Sequence, residues 1–294
     1  MINTDLHIHS IHSNDGELPI NEIIEMCIKQ KIGTFSITDH NTVKGLNQAA
    51  ELAQQKGLDF IPGIEIDCQY KGINLHVLGY NINLKSGDFY RLEDQVSEKV
   101  MDSFAEMINN INKQGFIIDA DSVLEKAQGI LPSGELIAEV MLSDEKYYTP
   151  KLLPYMSGGE RSDMPYLNFY MDYLAQGKPA YVHIDYMSYA EAIEIIKDNG
   201  GIPIVAHPGL NLKGKENLVQ ELLKSGAEGL EVFNNYHEPD QIDYLAAVVQ
   251  NQNSLITCGS DFHGKIKPSI SIGEYKFDSR YEQYLKSSID IIKK

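Results

Sequence analysis

The chain has 294 residues, 43% of them hydrophobic, and a formal net charge of −17. This length and hydrophobic content suffice for one large domain or for a domain with an insert. The negative charge argues against binding to a long nucleic-acid duplex or to an anionic membrane, because both depend on basic patches. A small anionic substrate stays compatible with this composition if metal ions supply local positive charge.

The three cysteines, Cys27, Cys68 and Cys258, are scattered along the chain and form no CxxC pair. This pattern indicates a reducing compartment. No apolar run approaches the roughly 18 residues that a membrane-spanning helix needs. The N-terminus also lacks the basic and apolar regions of a signal peptide. We therefore expect a cytoplasmic protein.

The first 80 residues alternate between short apolar runs and amphipathic stretches. TDLHIH predicts a strand, LPINEIIEMCIKQKIG predicts a helix from Pro19 to Gly33, and TFSIT predicts the next strand. TVKGLNQAAELAQQKG then predicts a helix ending at Gly57, followed by strands in DFIPGIEID and INLHVLGY. Such alternation favours an α/β fold built on a parallel sheet.

The middle of the chain has a different pattern, which predicts a mostly helical insert at 85–178. A helical stripe of apolar residues recurs there at positions 96, 100, 104, 107, 108 and 111. Strand and helix patterns resume afterwards, with strands predicted in IPIVAHPG, GLEVFNN and LITCGSDFHG. We therefore divide the chain into a first α/β part at 1–84, the insert, and a second α/β part at 179–294.

Metal-binding types of side chain recur where the predicted strands end. His7 and His9 are two residues apart on the first strand and so point to the same side. The others are Asp39 and His40 after TFSIT, Glu65 in IPGIEI, His76 in INLHVLGY, His207 after IPIVA, and Asp261 and His263 after LITCGS. Each has an ordinary alternative, such as a helix cap for Asp39 or a buried histidine for His76. Together they predict one cluster, because the carboxyl ends of barrel strands meet at one face.

The donor types restrict the metal that such a cluster would bind. Imidazoles and carboxylates without a well-placed thiolate suit zinc, manganese or iron. Six histidines and three carboxylates exceed what one ion can use, so we expect two to three divalent ions. Such ions would make the pocket cationic inside an acidic protein, which favours a phosphate and a bridging hydroxide.

The segments DLHIHS, SITDHN, IPGIEI, HVLGY, AHPG and GSDFHG, in this order, resemble the PHP (polymerase and histidinol phosphatase) superfamily. The resemblance covers the chain outside the insert and implies a distorted (β/α)7, TIM-like barrel with three metal positions. The insert and the segment GKPAYV are similar to a subgroup of small nucleotide phosphoesterases. Members of that subgroup act on 3',5'-bisphosphorylated nucleosides or on the 5' ends of short RNAs.

The resemblance also implies which residues bind the metals. One ion would be held by His7, His9, Glu65 and Asp261, and Glu65 would bridge to a second ion held by His76 and His207. The third would be held by Asp15, His40 and His263. The implied reaction is hydrolysis of a phosphate ester of a small metabolite by a metal-bound hydroxide, and a nucleotide is the expected class of substrate. Asp39 is predicted as the carboxylate that orients His40, with a helix cap as the alternative.

Five further residues are candidates for contact with the substrate, and each has an ordinary alternative as a solvated or loop side chain. They are His237 in EVFNNYHEPD, Arg161 and Lys178 in or beside the insert, His183 after AYV, and His12 between His9 and Asp15.

Two other classes of function compete with a phosphoesterase. An amidohydrolase-type barrel also starts with HxH, but usually adds a bridging lysine and a late lone aspartate. Here the predicted bridge is Glu65, and Asp261 is accompanied by His263. A non-catalytic metal-binding regulatory domain would be expected to have lost ligands, whereas all nine positions here carry residues able to bind metal.

Overall fold

A computed structural model describes residues 3–294. The strands are β1 Thr4–Ile8, β2 Thr34–Ile37, β3 Asp59–Tyr70, β4 Ile73–Tyr80, β5 Met187–Ser188, β6 Ile202–Val205, β7 Gly229–Phe233 and β8 Leu255–Cys258. The α-helices are α1 Ile20–Lys29, α2 Leu46–Lys56, α3 Asp88–Lys113, α4 Ala120–Ala127, α5 Gly134–Ser143, α6 Pro165–Tyr173, α7 Tyr189–Asp198, α8 Pro208–Asn211, α9 Val219–Lys224, α10 Pro239–Gln252 and α11 Glu282–Ile292. Short 3₁₀ helices lie at Glu145–Tyr147, Pro150–Tyr155, Glu216–Leu218, Gly264–Ile266 and Ser279–Tyr281.

The α/β class is confirmed, but the sheet is mixed rather than parallel. Its order is β1-β2-β3-β4-β6-β7-β8, with β5 paired to β3. The strand β4 runs antiparallel to both of its neighbours, β3 and β6. The reason is the connection from β3, which consists of Lys71 and Gly72 with φ of 50° and 74°. A two-residue turn with positive φ at both positions can only join antiparallel strands.

The sheet is not closed, so the TIM-type barrel is not confirmed. Among the described residues, β1 and the segment after β8 are joined by a single parallel bridge between Ile8 and Phe262. The amide of His9 donates to the carbonyl of Phe262, and the amide of Asp261 donates to the carbonyl of His7, both at 2.9 Å. These two bonds hold the segment around Asp261 against the end of β1.

The helices flanking the sheet bury the faces that their periodicity predicts. In α1 the buried residues Ile20, Ile23, Ile24 and Cys27 follow the i, i+3, i+4, i+7 pattern. This helix ends at Lys29, four residues before the predicted end. No helix of the described residues has the length and apolar character needed to cross a membrane.

The long helix α3 connects two hydrophobic cores. Its first half, including Phe89 and Val96, packs into the core around the sheet. Its second half, including Phe104 and Ile111, packs into a smaller core built from residues 104–180. The predicted apolar stripe is therefore confirmed, although its first part packs into one core and its second part into the other. After the smaller core the chain rejoins the sheet through the two-residue strand β5.

Candidate metal centre

All nine predicted metal-binding side chains converge at one end of the sheet. His40, His207 and the pair Asp261 and His263 follow β2, β6 and β8, as strand-end residues should. Glu65 lies inside β3 and so reaches the cluster from within a strand. His76 lies inside β4 and reaches it in the same way, because the β3–β4 hairpin extends past the ends of its neighbours.

The donor atoms form four overlapping sets, in each of which they lie within 4.8 Å of one another. The first set contains His7, His9, Glu65 and Asp261, the second contains Glu65, His76 and His207, and the third contains His9, Asp15, His40 and His263. A fourth set, which the sequence analysis did not include, contains His40, Asp67 and His76.

Glu65 is the centre of this arrangement and is 1% exposed. Its Oε2 lies 3.0 Å from His7 Nε2 and 3.1 Å from His9 Nε2. Its Oε1 lies 2.9 Å from His76 Nδ1 and 3.1 Å from His207 Nε2. The Nε2 atoms of His7 and His9 also face each other at 3.1 Å. Imidazole nitrogens gathered around a buried carboxylate form the donor set that zinc, manganese and iron prefer, so these residues fit divalent metal ions.

The electrostatics of the cluster favour a bound positive charge. Burial lowers the pKa of His7, but the charges of Glu65, Glu231 and Asp261 outweigh burial and raise this pKa well above its ordinary value. Burial raises the pKa of Glu65, but the neighbouring imidazoles outweigh it and hold this pKa well below its ordinary value. A site that attracts protons so strongly also attracts metal cations, which compete for the same lone pairs.

Glu231, which was not among the predicted site residues, contacts His7 of β1 on the side away from the cluster. It is fully buried in β7 and its Oε1 accepts from His7 Nδ1 at 2.9 Å. Its Oε2 accepts from the amide of His207, also at 2.9 Å. A carboxylate on the outer nitrogen of a metal-binding histidine fixes the ring and its tautomer. The available signal was an acidic residue inside the apolar strand GLEVF.

Asp261 is held by two further residues that the sequence analysis did not single out. Its Oδ1 faces His7 and His9 at 3.3 and 3.2 Å. Its Oδ2 accepts from the buried ammonium of Lys267 at 2.5 Å and from the hydroxyl of Tyr236. Lys267 in turn donates to the Tyr236 hydroxyl at 2.7 Å. The carboxylate thus presents one oxygen to the cluster and has the other fixed from outside.

The prediction that Asp39 orients His40 requires correction. Both carboxylate oxygens of Asp39 accept from Ser10, one from its amide and one from its hydroxyl, each at 2.6 Å. The carboxylate beside His40 is Asp67, with Oδ1 at 3.2 Å from Nδ1. Sequence adjacency was misleading, because His40 pairs with Glu65 in a parallel bridge and neighbouring residues of such an extended segment point to opposite sides. The signal for Asp67 was its place two residues after Glu65, on the same side of β3.

His237 is not available to a substrate in this structure. Its ring is fully buried, and both ring nitrogens bond to the backbone. Nδ1 donates to the carbonyl of Val232 at 2.9 Å, and Nε2 accepts from the amide of Gly209 at 2.8 Å. This bonding requires a neutral ring, and burial lowers the pKa of His237 accordingly. His237 therefore stabilises the segment after His207 through its hydrogen bond with Gly209.

The other four substrate candidates lie in ordinary surroundings. Arg161 makes a two-pronged pair with Asp172, with both N–O distances at 3.0 Å, so its guanidinium is already engaged. Lys178 is exposed. His183 is also exposed and lies 3.4 Å from the hydroxyl of Tyr181. His12 is half-buried and its ring lies against Gly45.

The insert approaches the cluster through the first turns of α5. Glu139 on this helix accepts from the ammonium of Lys265, two residues after His263, at 2.8 Å. Glu135 lies one turn earlier on the same face and is 8% exposed. Burial and the charge of Asp15 raise the pKa of Glu135 to about 7. An acidic side chain of the insert therefore lies close to the rim of the cluster.

Comparison with known proteins agrees with this geometry. The PHP domain family matches residues 5–294. The chain is 28% identical to the 5'-3' exoribonuclease Rnm of Escherichia coli, over 92% of this chain and 87% of that protein. It is 25% identical to the 3',5'-nucleoside bisphosphate phosphatase of Chromobacterium violaceum, over 93% and 91%. A solved structure from Bifidobacterium adolescentis, described as a metal-dependent phosphoesterase, shares the fold with a TM-score of 0.76, 23% identity, and coverage of 99% and 98%.

Proposed function

The chain belongs to the PHP domain family, and from this premise we propose that it is a metal-dependent phosphoesterase acting on a small nucleotide. The observation that carries the proposal is the buried carboxylate of Glu65, which lies within 3.1 Å of four imidazoles. Such a donor set fits divalent metal ions and the hydrolysis that they promote.

We assign the ligands to three metal positions. Position one is formed by His7, His9, Glu65 and Asp261, position two by Glu65, His76 and His207, and position three by Asp15, His40 and His263. Two or three ions of zinc, manganese or iron would occupy them. When bound, such ions polarise phosphoryl oxygens and lower the pKa of water.

The protein's own residues orient these ligands and shape access to them. Glu231 fixes the ring of His7, and Lys267 with Tyr236 fixes the carboxylate of Asp261. The Lys265–Glu139 contact joins the rim of the site to the insert. Three divalent ions would carry six positive charges against the five carboxylates Glu65, Asp15, Asp261, Asp67 and Glu231, so the pocket would attract phosphate.

The substrate class follows from the relatives and from the charge of this chain. An exoribonuclease and a nucleoside bisphosphate phosphatase both cleave phosphate esters of nucleotides. The net charge of −17 opposes a long polyanion. We therefore propose a nucleoside mono- or bisphosphate, or a short 5'-phosphorylated RNA, as the substrate.

A panel of phosphate esters tests this proposal. Protein purified without chelator would be assayed on nucleoside monophosphates, 3',5'-bisphosphates, histidinol phosphate, short 5'-phosphorylated RNA and a diester, with metals counted by elemental analysis. We expect turnover of at least one nucleotide, its loss on chelation, and its recovery with manganese, iron or zinc ions.

Two variants give the comparison. His9→Ala should abolish turnover and lower the metal count, whereas Lys286→Met, at an exposed position of α11, should change neither. Full metal occupancy without hydrolysis of any ester would overturn the phosphoesterase assignment and direct attention to amide substrates.

A further inference from the structure

Asp67 lies between two histidines that belong to different metal positions. Its Oδ1 is 3.2 Å from Nδ1 of His40, in position three, and 3.3 Å from Nε2 of His76, in position two. The opposite nitrogens of both rings face Glu65, with His40 Nε2 at 3.5 Å and His76 Nδ1 at 2.9 Å. Each ring therefore has one nitrogen toward the centre and one toward Asp67.

The chemistry of imidazole decides what Asp67 does there. A neutral ring has one lone pair and one N–H. If the inner nitrogen uses its lone pair to bind a metal, the outer nitrogen carries the hydrogen and needs an acceptor. Asp67 Oδ1 lies within 3.3 Å of both outer nitrogens, and His40 Nδ1 and Asp67 Oδ1 are buried without any other hydrogen-bond partner. Neither contact has the angles of a hydrogen bond as placed, so the rings must turn slightly on metal binding for this one oxygen to accept from both.

A fourth metal held by Asp67 and the two outer nitrogens is the alternative to this arrangement. It would require each ring to give two lone pairs, which only a deprotonated imidazolate has. The inner side offers the more negative surroundings, because Glu65 and Asp15 both lie near His40 there. We therefore expect the inner nitrogen of each ring to use its lone pair for metal binding.

Asp67 is itself fixed by a neighbour outside the cluster. Asn41 Nδ2 donates to Asp67 Oδ2 at 2.7 Å, and the amide of Asp67 donates to Asn41 Oδ1 at 2.9 Å. Asn41 has a φ of 55°, a conformation that asparagine adopts more readily than most residues. This reciprocal pair leaves Oδ1 directed at the two rings.

We propose that Asp67 is a positioning residue that fixes opposite tautomers in His40 and His76 and so couples metal positions two and three. The inference rests on the metal positions of the proposed function. His40 carries its hydrogen on Nδ1 and His76 carries it on Nε2. Position one does not depend on Asp67, because Glu231 and Lys267 orient its ligands.

The experiment combines metal counting with NMR of the zinc-loaded full chain. In wild-type protein with ¹⁵N-labelled histidine, His40 should show a protonated Nδ1 and His76 a protonated Nε2. In Asp67→Ala the signals of both protonated ring nitrogens should disappear. Two zinc ions should together bind about 10- to 100-fold more weakly, while one ion stays bound. Asp67→Asn keeps an oxygen acceptor without its charge and should give an intermediate loss.

Two further variants keep the test decisive if Asp67→Ala is unstable. Asn41→Gly tolerates the positive φ and removes the side-chain hydrogen bonds between Asn41 and Asp67, so it should weaken binding of the same two ions to a smaller extent. Asp59→Asn, at the far and exposed end of β3, should leave all ions in place. Melting temperatures of the chelated proteins would separate loss of metal from loss of fold.

Three results would overturn the inference: an unchanged zinc affinity in Asp67→Ala and Asn41→Gly, the loss of one ion alone, or a wild-type protein whose outer nitrogens bind a fourth ion. If the expected tautomers and losses of zinc are observed but the protein hydrolyses no phosphate ester, the role of Asp67 is supported and the proposed function is overturned instead.

Discussion

The ammonium nitrogen of Lys267 lies 2.5 Å from Oδ2 of Asp261, whose Oδ1 faces the rings of His7 and His9. Asp261 also has a φ of 57°, which aspartate adopts only occasionally. The buried lysine therefore helps to hold this carboxylate in an uncommon conformation, with a single oxygen presented to the proposed metal position one.

Replacing Lys267 should lower the affinity for metal at the proposed first position. Lys267→Met keeps the length of the side chain and removes its ammonium, so we expect metal affinity at this position to fall about 10- to 100-fold. Elemental analysis after dialysis against a weak chelator would measure the effect, with Lys286→Met on α11 as the control. Unchanged or tighter binding would mean that the ammonium opposes the metal ions more than it orients Asp261.

His237 should matter for stability rather than for substrate binding. His237→Leu leaves the carbonyl of Val232 and the amide of Gly209 without partners, which should cost about 2 to 4 kcal/mol. Urea unfolding of the chelated protein at pH 8 would measure this free energy. A raised KM with unchanged stability would instead restore the predicted role in binding phosphate.

The stability that His237 contributes should also depend on pH. Burial lowers the pKa of His237 in the folded state, so the unfolded chain binds the proton more readily. Its contribution is present above the unfolded pKa of about 6.5 and declines as the pH falls below that value. The difference in unfolding free energy between wild-type protein and His237→Leu should therefore narrow between pH 8 and pH 5.5, and a constant difference would contradict this account.

Arg161 should make little difference to catalysis. Its guanidinium is paired with both oxygens of Asp172 inside the insert. Arg161→Met should leave kcat/KM on the preferred nucleotide within about twofold of wild type, since an engaged guanidinium is not free to clamp a phosphate. Steady-state kinetics would test this, and a tenfold rise in KM would show that the pair opens when substrate binds.

Glu135 should disfavour a second phosphate on the substrate. Its pKa of about 7 makes the carboxyl mainly charged at pH 8, close to the rim of the cluster. Glu135→Gln removes this charge while keeping the shape, so kcat/KM for a 3',5'-bisphosphate should rise relative to a monophosphate by about tenfold. Competition assays at pH 8 would measure the ratio, with Glu145→Gln in the insert as the control. An unchanged ratio would show that the second phosphate binds elsewhere.

The residues that local pattern predicts well are those whose neighbours in sequence decide their environment. The apolar periodicity of α1 and α3 predicts which faces are buried, because a helix places residues i, i+3 and i+4 on one side wherever it packs. His40, His207, Asp261 and His263 were identifiable because each directly follows an apolar strand. The spacing of His7 and His9 likewise predicts that both rings point one way.

Other features depend on contacts between distant parts of the chain, and the tertiary structure alone decides them. The antiparallel pairing of β4 with β6, the open sheet, and the engagement of Arg161 and His237 follow from pairings that no local spacing encodes. The same is true of Glu231 and Asp67, which act on ligands 224 and 27 positions away. Local sequence determined the candidate ligands, whereas the long-range packing of strands determined which carboxylate holds each of them, because a hydrogen bond depends on distance in space and not on distance along the chain.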